Sequence, residues 1–190
     1  RRRMCVVDGV GCGGGGGCLC ESMVRVGAEV TGVDALEKTL KTARTHAELV
    51  GVKVNYIHGT VEQLIESGES LFDAVLNMEV IEHVADPRDF MADCAKMVRP
   101  GGLMITSTIN RSFKAFAFAI VGAEYVLRWL PRGTHQYAKL VKPIEMQRYL
   151  KDAGLVPEAS IGMSLNPLKN SWTFSSDLGI NYVTVGKKVS

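Results

Sequence analysis

The sequence has 190 residues, 22 lysines and arginines against 20 aspartates and glutamates, and a formal net charge of +2. This length suits a single core, so we expect one domain over residues 1–190. The basic residues are scattered except at Arg1 to Arg3, which excludes the basic stripe of a nucleic-acid-binding protein, and no nucleic-acid partner is expected.

Short apolar runs alternate with helical patterns along the first 110 residues, which is typical of a parallel sheet between helices. The runs predict strands at residues 4–7, 29–33, 53–58, 72–76 and 103–109. The patterns between them predict helices at about 19–26, 36–49, 61–66, 79–84 and 88–98, the last with Asp86 as its N-cap.

The last third of the chain adds an insertion and two further strands. Residues 112–140 form a largely apolar insertion, predicted to be helical, after the fifth strand. Pro143 then opens a helix that ends near Gly154, and residues 158–163 and 181–187 predict a closing antiparallel hairpin at the sheet's edge. The predicted fold class is therefore α/β, with a seven-stranded, mostly parallel sheet.

A glycine-rich segment after the first strand carries the clearest functional signal. The first apolar run ends in Asp8, and residues 9–17 are almost entirely glycine. Glycine permits positive φ and lets a ligand lie against bare main chain, while the N–H groups of the following helix attract electron-rich atoms. Asp34 ends the second apolar run, where a carboxylate can hold two ribose hydroxyls. Together these features predict a nucleoside site.

Two cofactors could use such a site, and Asp8 favours one of them. Residues 11–16 satisfy the dinucleotide fingerprint, with Asp34 at nearly the distance expected for the ribose of NAD, but a run of five glycines satisfies almost any glycine pattern. A carboxylate at Asp8 would repel a pyrophosphate and attract the ammonium and sulfonium groups of S-adenosylmethionine. The residues therefore favour S-adenosylmethionine, with an NAD(P)-dependent oxidoreductase as the alternative.

Two glutamates and a histidine, Glu79, Glu82 and His83, follow the fourth predicted strand. Their spacing would place them on one face of a helical turn at the carboxyl edge of the sheet, where open α/β folds bind ligands. There they could hold Mg²⁺ beside a methyl acceptor. The alternative is structural: the glutamates complement a helix N-terminus, and the histidine is a buried, hydrogen-bonded anchor. The residues alone leave both interpretations open.

Segments spread along the chain carry a resemblance to a known family. They are Asp8 to Asp34, Met78 to Pro87, Pro100 to Gly102, Thr108 to Arg111, Val121 to Arg128, Pro131 to His135, Asn166-Pro167 and Asn181-Tyr182. Together they resemble the O-methyltransferases of ubiquinone biosynthesis, which have the Rossmann-like fold of class I S-adenosylmethionine-dependent methyltransferases. The resemblance implies methylation of a catechol hydroxyl on polyprenylated precursors, at two steps of the pathway.

The resemblance also implies roles for individual residues. Asp8, Gly11, Gly13, Asp34 and Met78 become cofactor contacts, with Met78 near the adenine. Glu79, Glu82 and His83 match the positions given to Mg²⁺ in the family. His135 becomes a candidate catalytic contact to the substrate ring, and its alternative role is a loop histidine that orders the turn at Pro131.

The partners implied are a polyprenylated catechol, a membrane surface and other ubiquinone-biosynthesis proteins. The location implied is peripheral, on the matrix face of the mitochondrial inner membrane in a eukaryote or the cytoplasmic membrane face in a bacterium. Within residues 112–140, Tyr125 and Trp129 would lie at headgroup depth, with Lys114, Arg128 and Arg132 near phosphates. The alternative is a lid helix that packs over the substrate pocket.

The chain departs from the family pattern at three places. It has one additional residue, Gly9, and two additional glycines among residues 13–17, and Leu165 stands where an aromatic residue usually precedes Asn-Pro. The family's N-terminal helix, and any targeting peptide, is expected to precede residue 1. Inserted glycines add loop entropy and can misplace the N–H groups that face a cofactor. A third function class is therefore a non-catalytic subunit that binds lipid or partners.

Overall fold

The computed structural model describes residues 2–8, 17–69, 71–116, 137–166 and 171–189. Within these residues, helices and strands alternate as the apolar runs predict. The helices are α1 (Cys18–Arg25), α2 (Glu37–Leu49), α3 (Val61–Glu66), α4 (Pro87–Met97), α5 (Phe113–Ala115) and α6 (Pro143–Asp152). The strands are β1 (Arg3–Asp8), β2 (Glu29–Asp34), β3 (Asn55–His58), β4 (Phe72–Met78), β5 (Val98–Ile109), β6 (Leu155–Asn166), β7 (Ser171–Ser175) and β8 (Asn181–Lys188).

The described strands form one mixed sheet in the order β3-β2-β1-β4-β5-β8-β6-β7. The first five strands in this order, from β3 through β2, β1 and β4 to β5, are parallel. Strand β8 pairs antiparallel with both β5 and β6. The predicted α/β class and the antiparallel pairing of the closing strands are confirmed. The sheet has eight described strands instead of seven, because β7 pairs with β6 and takes the edge.

Side chains that alternate along the central strands build a core layer on each face of the sheet. Val7 of β1 and Val75 of β4 belong to the layer beneath α3, α4 and α6, whereas Val6 and Leu76 belong to the layer beneath α1. Burial on both faces explains why these strands read as continuous apolar runs in the sequence.

The predicted helix at residues 79–84 is wrong, because this segment is a turn. Glu79 adopts a left-handed backbone conformation, with φ of 54°, and its N–H donates to the carbonyl of Ser107 at 3.1 Å. A residue in this conformation cannot start a right-handed helix. The next helix is α4, where the predicted N-cap is confirmed: the Asp86 carboxylate accepts from the N–H groups of Arg88 and Asp89.

Gly162 on β6 lies directly against the connection between β7 and β8. A Cβ at this position would lie 1.8 Å from the carbonyl oxygen of Asp177. We expect Gly162→Ala to lower the free energy of unfolding by about 1 to 3 kcal/mol, since the backbone of the connection must shift. Urea unfolding measures the effect, and Ser164→Ala on the same strand is the control. Equal stability of the two variants would contradict the observed packing.

Candidate active site

The carboxyl ends of β1, β4 and β5 lie side by side at one edge of the sheet. In the strand register, Asp8 pairs with Met78, and Met78 pairs with Ser107. Asp34 ends the neighbouring strand β2, opposite His58. In open α/β sheets, ligands bind beyond this edge. The structure therefore gathers Asp8, Asp34 and Met78 at one edge, as the sequence predicts.

Asp34 is buried, with only 5% of its surface exposed. Its Oδ1 accepts a hydrogen bond from the N–H of Leu36 at 2.7 Å, and within the described residues its Oδ2 has no hydrogen-bond partner. Burial raises the pKa of this carboxyl, while the Leu36 N–H and the nearby His58 oppose the rise. A buried carboxylate oxygen without a partner is costly, and a ribose hydroxyl would satisfy it.

Two glycines shape the cavity beside Asp34, and Tyr56 forms one of its walls. Gly17 has a φ of 111°, and a Cβ there would lie 2.5 Å from the Tyr56 hydroxyl oxygen. A Cβ on Gly32 would lie 2.8 Å from the Tyr56 ring. Both positions therefore require glycine for the ring to fit. Tyr56 itself lies on β3, beside the strand that ends in Asp34.

Glu79 and Glu82 form a hydrogen-bonded carboxyl pair just beyond β4. Ser107 Oγ donates to Glu79 Oε1 at 2.8 Å, and Thr108 Oγ1 donates to Glu82 Oε2 at 2.9 Å. Burial, then the charge of Glu82 and a hydrogen bond with it, raise the pKa of Glu79 to about 8. The other oxygen of Glu82, Oε1, is buried and without a partner among the described residues.

His83 does not join this pair in a metal-ligand set. Its side chain is exposed, so its interpretation as a buried anchor is wrong. The expected placement of all three side chains on one helical face is also wrong, because Glu79 is left-handed and the segment is a turn. In the part of the chain that the structure describes, no group of three or more histidine, cysteine, aspartate or glutamate side chains is placed to hold a metal ion.

Both ends of the insertion are anchored beside the carboxyl end of β5. Asn110 Nδ2 donates to the carbonyl of Leu178 at 2.8 Å, and Ser112 Oγ donates to the carbonyl of Gly179 at 2.5 Å. At the other end, the buried Tyr182 hydroxyl donates to the carbonyl of Val141 at 2.9 Å. The insertion therefore leaves and rejoins the sheet next to the carboxyl pair.

Several predicted site residues lie outside the described residues. They are Gly11 and Gly13 of the glycine-rich segment, and Phe118, Tyr125, Arg128, Trp129 and His135 of the insertion. The described start of the insertion presents aromatic side chains to solvent, because Phe113 is 83% exposed. Phe116 packs edge-to-face on Tyr137, with ring centroids 5.5 Å apart. None of the helices described is both long and apolar enough to cross a membrane.

Solved structures of methyltransferases share this fold at low sequence identity. Magnesium protoporphyrin IX methyltransferase from Synechocystis, solved with bound S-adenosylmethionine, is 17% identical, with a TM-score of 0.63 over 98% of this chain and 70% of that one. The N-methyltransferase NodS from Bradyrhizobium japonicum is 12% identical, with a TM-score of 0.65 over 100% of this chain and 87% of that one. These likenesses show the fold alone.

Sequence comparisons show the family. The family model described as a methyltransferase domain matches residues 9–106. The ubiquinone biosynthesis O-methyltransferase of Maricaulis maris is 54% identical over 179 residues, which are 94% of this chain and 70% of that protein. The enzyme of the same name from Sinorhizobium medicae is 56% identical over 94% of this chain and 71% of its own. This chain therefore belongs to the ubiquinone biosynthesis O-methyltransferase family and is an S-adenosylmethionine-dependent methyltransferase.

Proposed function

We propose that the chain transfers the methyl group of S-adenosylmethionine to a hydroxyl oxygen of a polyprenylated catechol, at both O-methylation steps of ubiquinone biosynthesis. The observation that carries the proposal is the carboxyl edge of the sheet. A buried aspartate, Asp34, lies at this edge with one oxygen that has no partner among the described residues. The carboxyl pair of the half-buried Glu79 and the buried Glu82 lies at the same edge, beyond the paired residues Asp8, Met78 and Ser107.

The cofactor is assigned to the β1 and β2 side of this edge. Asp34 Oδ2 would accept from a ribose hydroxyl, Asp8 would attract the methionine ammonium group, and Met78 would lie against the adenine. The main-chain N–H groups at Gly11 and Gly13 would complete the site. Together these contacts would present the sulfonium methyl towards the carboxyl pair.

Methyl transfer itself is largely a matter of positioning. The acceptor oxygen approaches the sulfonium methyl in line, a carbon–oxygen bond forms, and the carbon–sulfur bond breaks to release S-adenosylhomocysteine. The hydroxyl proton passes from the acceptor oxygen to an ionised carboxylate of the Glu79–Glu82 pair as the carbon–oxygen bond forms. In this proposal, Glu79 and Glu82 contact the catechol hydroxyls, and His135 contacts the ring.

Mg²⁺ belongs to this proposal with Glu79 and Glu82 as its protein ligands. Carboxylate oxygens suit this hard cation, and the unpartnered Glu82 Oε1 is available to it. The exposed imidazole of His83 does not fit the same set in the observed arrangement, so its part rests on the family resemblance. When bound, the ion would lower the pKa of the phenol and orient two adjacent oxygens.

The experiment that tests the proposed reaction uses methyl-labelled S-adenosylmethionine and a soluble, short-tailed catechol. We expect label on a ring oxygen and one S-adenosylhomocysteine released for each methyl transferred. The isomer with hydroxyls in the 1,3 positions is the matched control and should react far more slowly, since its oxygens cannot both meet the carboxyl pair. Label on carbon, or no transfer at all, would overturn the proposal.

We also propose that the insertion docks on a membrane containing anionic lipid. The support is the exposure of Phe113 and Phe116 at its described start, and the basic residues Lys114, Arg128 and Arg132 along it. A polyprenyl tail dissolves in lipid, so an enzyme acting on its head group gains from binding at the interface. We therefore propose a location on the matrix face of the mitochondrial inner membrane, or on a bacterial cytoplasmic membrane face, beside other proteins of the pathway.

Replacing three insertion aromatics, Phe116, Phe118 and Trp129, with serine should weaken liposome binding and lower activity on a long-tailed substrate. Each large apolar side chain withdrawn from the interface removes about 1.5 to 3 kcal/mol of burial. Affinity for S-adenosylmethionine and methylation of a short-tailed catechol should stay near the wild-type values. Phe174→Ser, which changes an exposed aromatic on β7, is the control. Equal flotation of the triple variant and the wild type would assign the insertion to a lid.

A further inference from the structure

Two consecutive hydroxyl residues near the end of β5, Ser107 and Thr108, contact the carboxyl pair. Both are almost completely buried, with 1% and 0% of their surface exposed. The Ser107 hydroxyl donates to Glu79 at 2.8 Å, and the Thr108 hydroxyl donates to Glu82 at 2.9 Å. Each carboxyl of the pair therefore has its own donor from one strand, although the donors lie more than 25 residues further along the chain.

Ser107 holds Glu79 at two points. Besides the side-chain bond, its carbonyl accepts the Glu79 N–H at 3.1 Å. Glu79 is the one described non-glycine residue with a positive φ, at 54°. Such a conformation is unfavourable for a residue with a side chain and persists where the surroundings enforce it, which is most often at functional sites. The two contacts from Ser107 supply that enforcement.

The arrangement leaves a buried oxygen of Glu82 unused. Glu82 Oε1 is buried and has no hydrogen-bond partner among the described residues. A purely structural buried network normally satisfies all of its polar atoms, because an unsatisfied one is costly. The two carboxyls are held by the Ser107 and Thr108 hydroxyls, and Glu79 directly follows Met78, which pairs with Asp8 at the carboxyl edge. The unpartnered oxygen at this edge points to a ligand.

We infer that Ser107 and Thr108 are positioning residues, whose hydroxyls hold the Glu79–Glu82 pair in the arrangement that receives the catechol oxygens for methyl transfer. The inference rests on the proposed function, which places the acceptor against this pair. The two hydroxyls do not touch the substrate and act through the carboxyls. Their loss should therefore impair the chemical step more than cofactor binding.

The test compares Thr108→Val with Thr108→Ser in the full chain. Valine keeps the branched shape and removes the hydroxyl, whereas serine keeps the hydroxyl and removes a methyl group. We expect the valine variant to lose at least about tenfold in kcat on a short-tailed catechol, with Kd for S-adenosylmethionine within about twofold of wild type. The serine variant should retain most of the wild-type kcat. Ser107→Ala and Ser107→Thr form the corresponding pair for Glu79.

Equal impairment of the valine and serine variants would assign Thr108 to packing and overturn the inference. Wild-type kcat in the valine variant would overturn it as well. If the wild-type chain binds S-adenosylmethionine and methylates no catechol, the proposed function fails instead. The wild-type assay and the variant pair thus separate the two failures.

A spectroscopic measurement checks the contact independently of turnover. Glutamate labelled with ¹³C at the side-chain carboxyl gives one resonance for each residue, and Glu79→Gln and Glu82→Gln identify the two signals by their loss. We expect Thr108→Val to shift the Glu82 signal and Thr108→Ser to leave it near its wild-type position. An unchanged signal in the valine variant would show that the hydroxyl does not hold Glu82, and would overturn the inference.

Discussion

Replacing Asp34 with alanine is expected to lower the affinity of the chain for S-adenosylmethionine at least tenfold. Asp34 is buried at the end of β2, one oxygen is held by the Leu36 N–H, and the other is available for the ribose. Hydrogen bonds to a charged group contribute about 1.5 to 3 kcal/mol each, and about 1.4 kcal/mol corresponds to a factor of ten. Losing the hydrogen bonds to the ribose should therefore lower the affinity at least tenfold.

Calorimetric titration measures the Asp34 effect, with Glu37→Ala as the matched control. Glu37 is an exposed carboxylate at the start of α2, where it pairs with Arg44 and His58. Its removal changes the charge by the same amount close to the site, and it should leave the affinity within about twofold of wild type. Unchanged binding in Asp34→Ala would remove Asp34 from the cofactor site.

An excess of chelator is expected to depress turnover on a catechol at least about tenfold while leaving S-adenosylmethionine affinity nearly unchanged. The chelator would remove the Mg²⁺ that Glu79 and Glu82 are proposed to hold on the acceptor side of the edge. It would leave Asp34, on the cofactor side, unaffected. The double variant Glu79→Gln/Glu82→Gln should show the same loss and no further response to chelator. The double variant Glu62→Gln/Glu66→Gln, at two exposed residues of α3, controls for the loss of two carboxylates.

Addition of Mg²⁺ after chelation should restore wild-type turnover and have no effect on the double variant. Full wild-type activity in excess chelator would remove Mg²⁺ from the proposal. Glu79 and Glu82 would then contact the catechol hydroxyls without a metal ion.

The parallel half of the sheet could be predicted from the sequence because its strands are buried on both faces. A short, continuous apolar run between two helical patterns, such as Met4 to Val7, is typical of a strand in a parallel sheet. The edge strand β7 was missed because only two of its five residues, Trp172 and Phe174, are apolar, so it carries no continuous apolar run. A strand of this kind is defined by its pairing with β6, which a local pattern does not contain.

The turn after β4 could not be predicted for a related reason. The spacing of Glu79, Glu82 and His83 matches a helix, but Glu79 is hydrogen-bonded through its N–H and its carboxylate to Ser107, which lies 28 positions further along the chain. Local spacing carries no information about that contact. Ser107 and Thr108 were missed as site residues for the same reason, since hydroxyl residues in a buried strand are unremarkable until the register of β4 and β5 is known.

Asp34 and Asp8, by contrast, could be placed because each ends an apolar run. The end of a parallel strand is also the place where the fold binds ligands, so a carboxylate there indicates both a position and a role. Apart from Gly17, the glycines that follow Asp8 lie outside the described residues, and their contribution to the cofactor site stays a prediction.

Calorimetric titration of the wild-type chain with S-adenosylmethionine and, separately, with NADH tests the central claim most directly. A methyl-donor site at the carboxyl edge predicts one bound S-adenosylmethionine for each chain, competition by S-adenosylhomocysteine, and no measurable heat from NADH. Binding of NADH without S-adenosylmethionine would contradict the account in favour of an oxidoreductase. Binding of neither would contradict it in favour of a non-catalytic subunit.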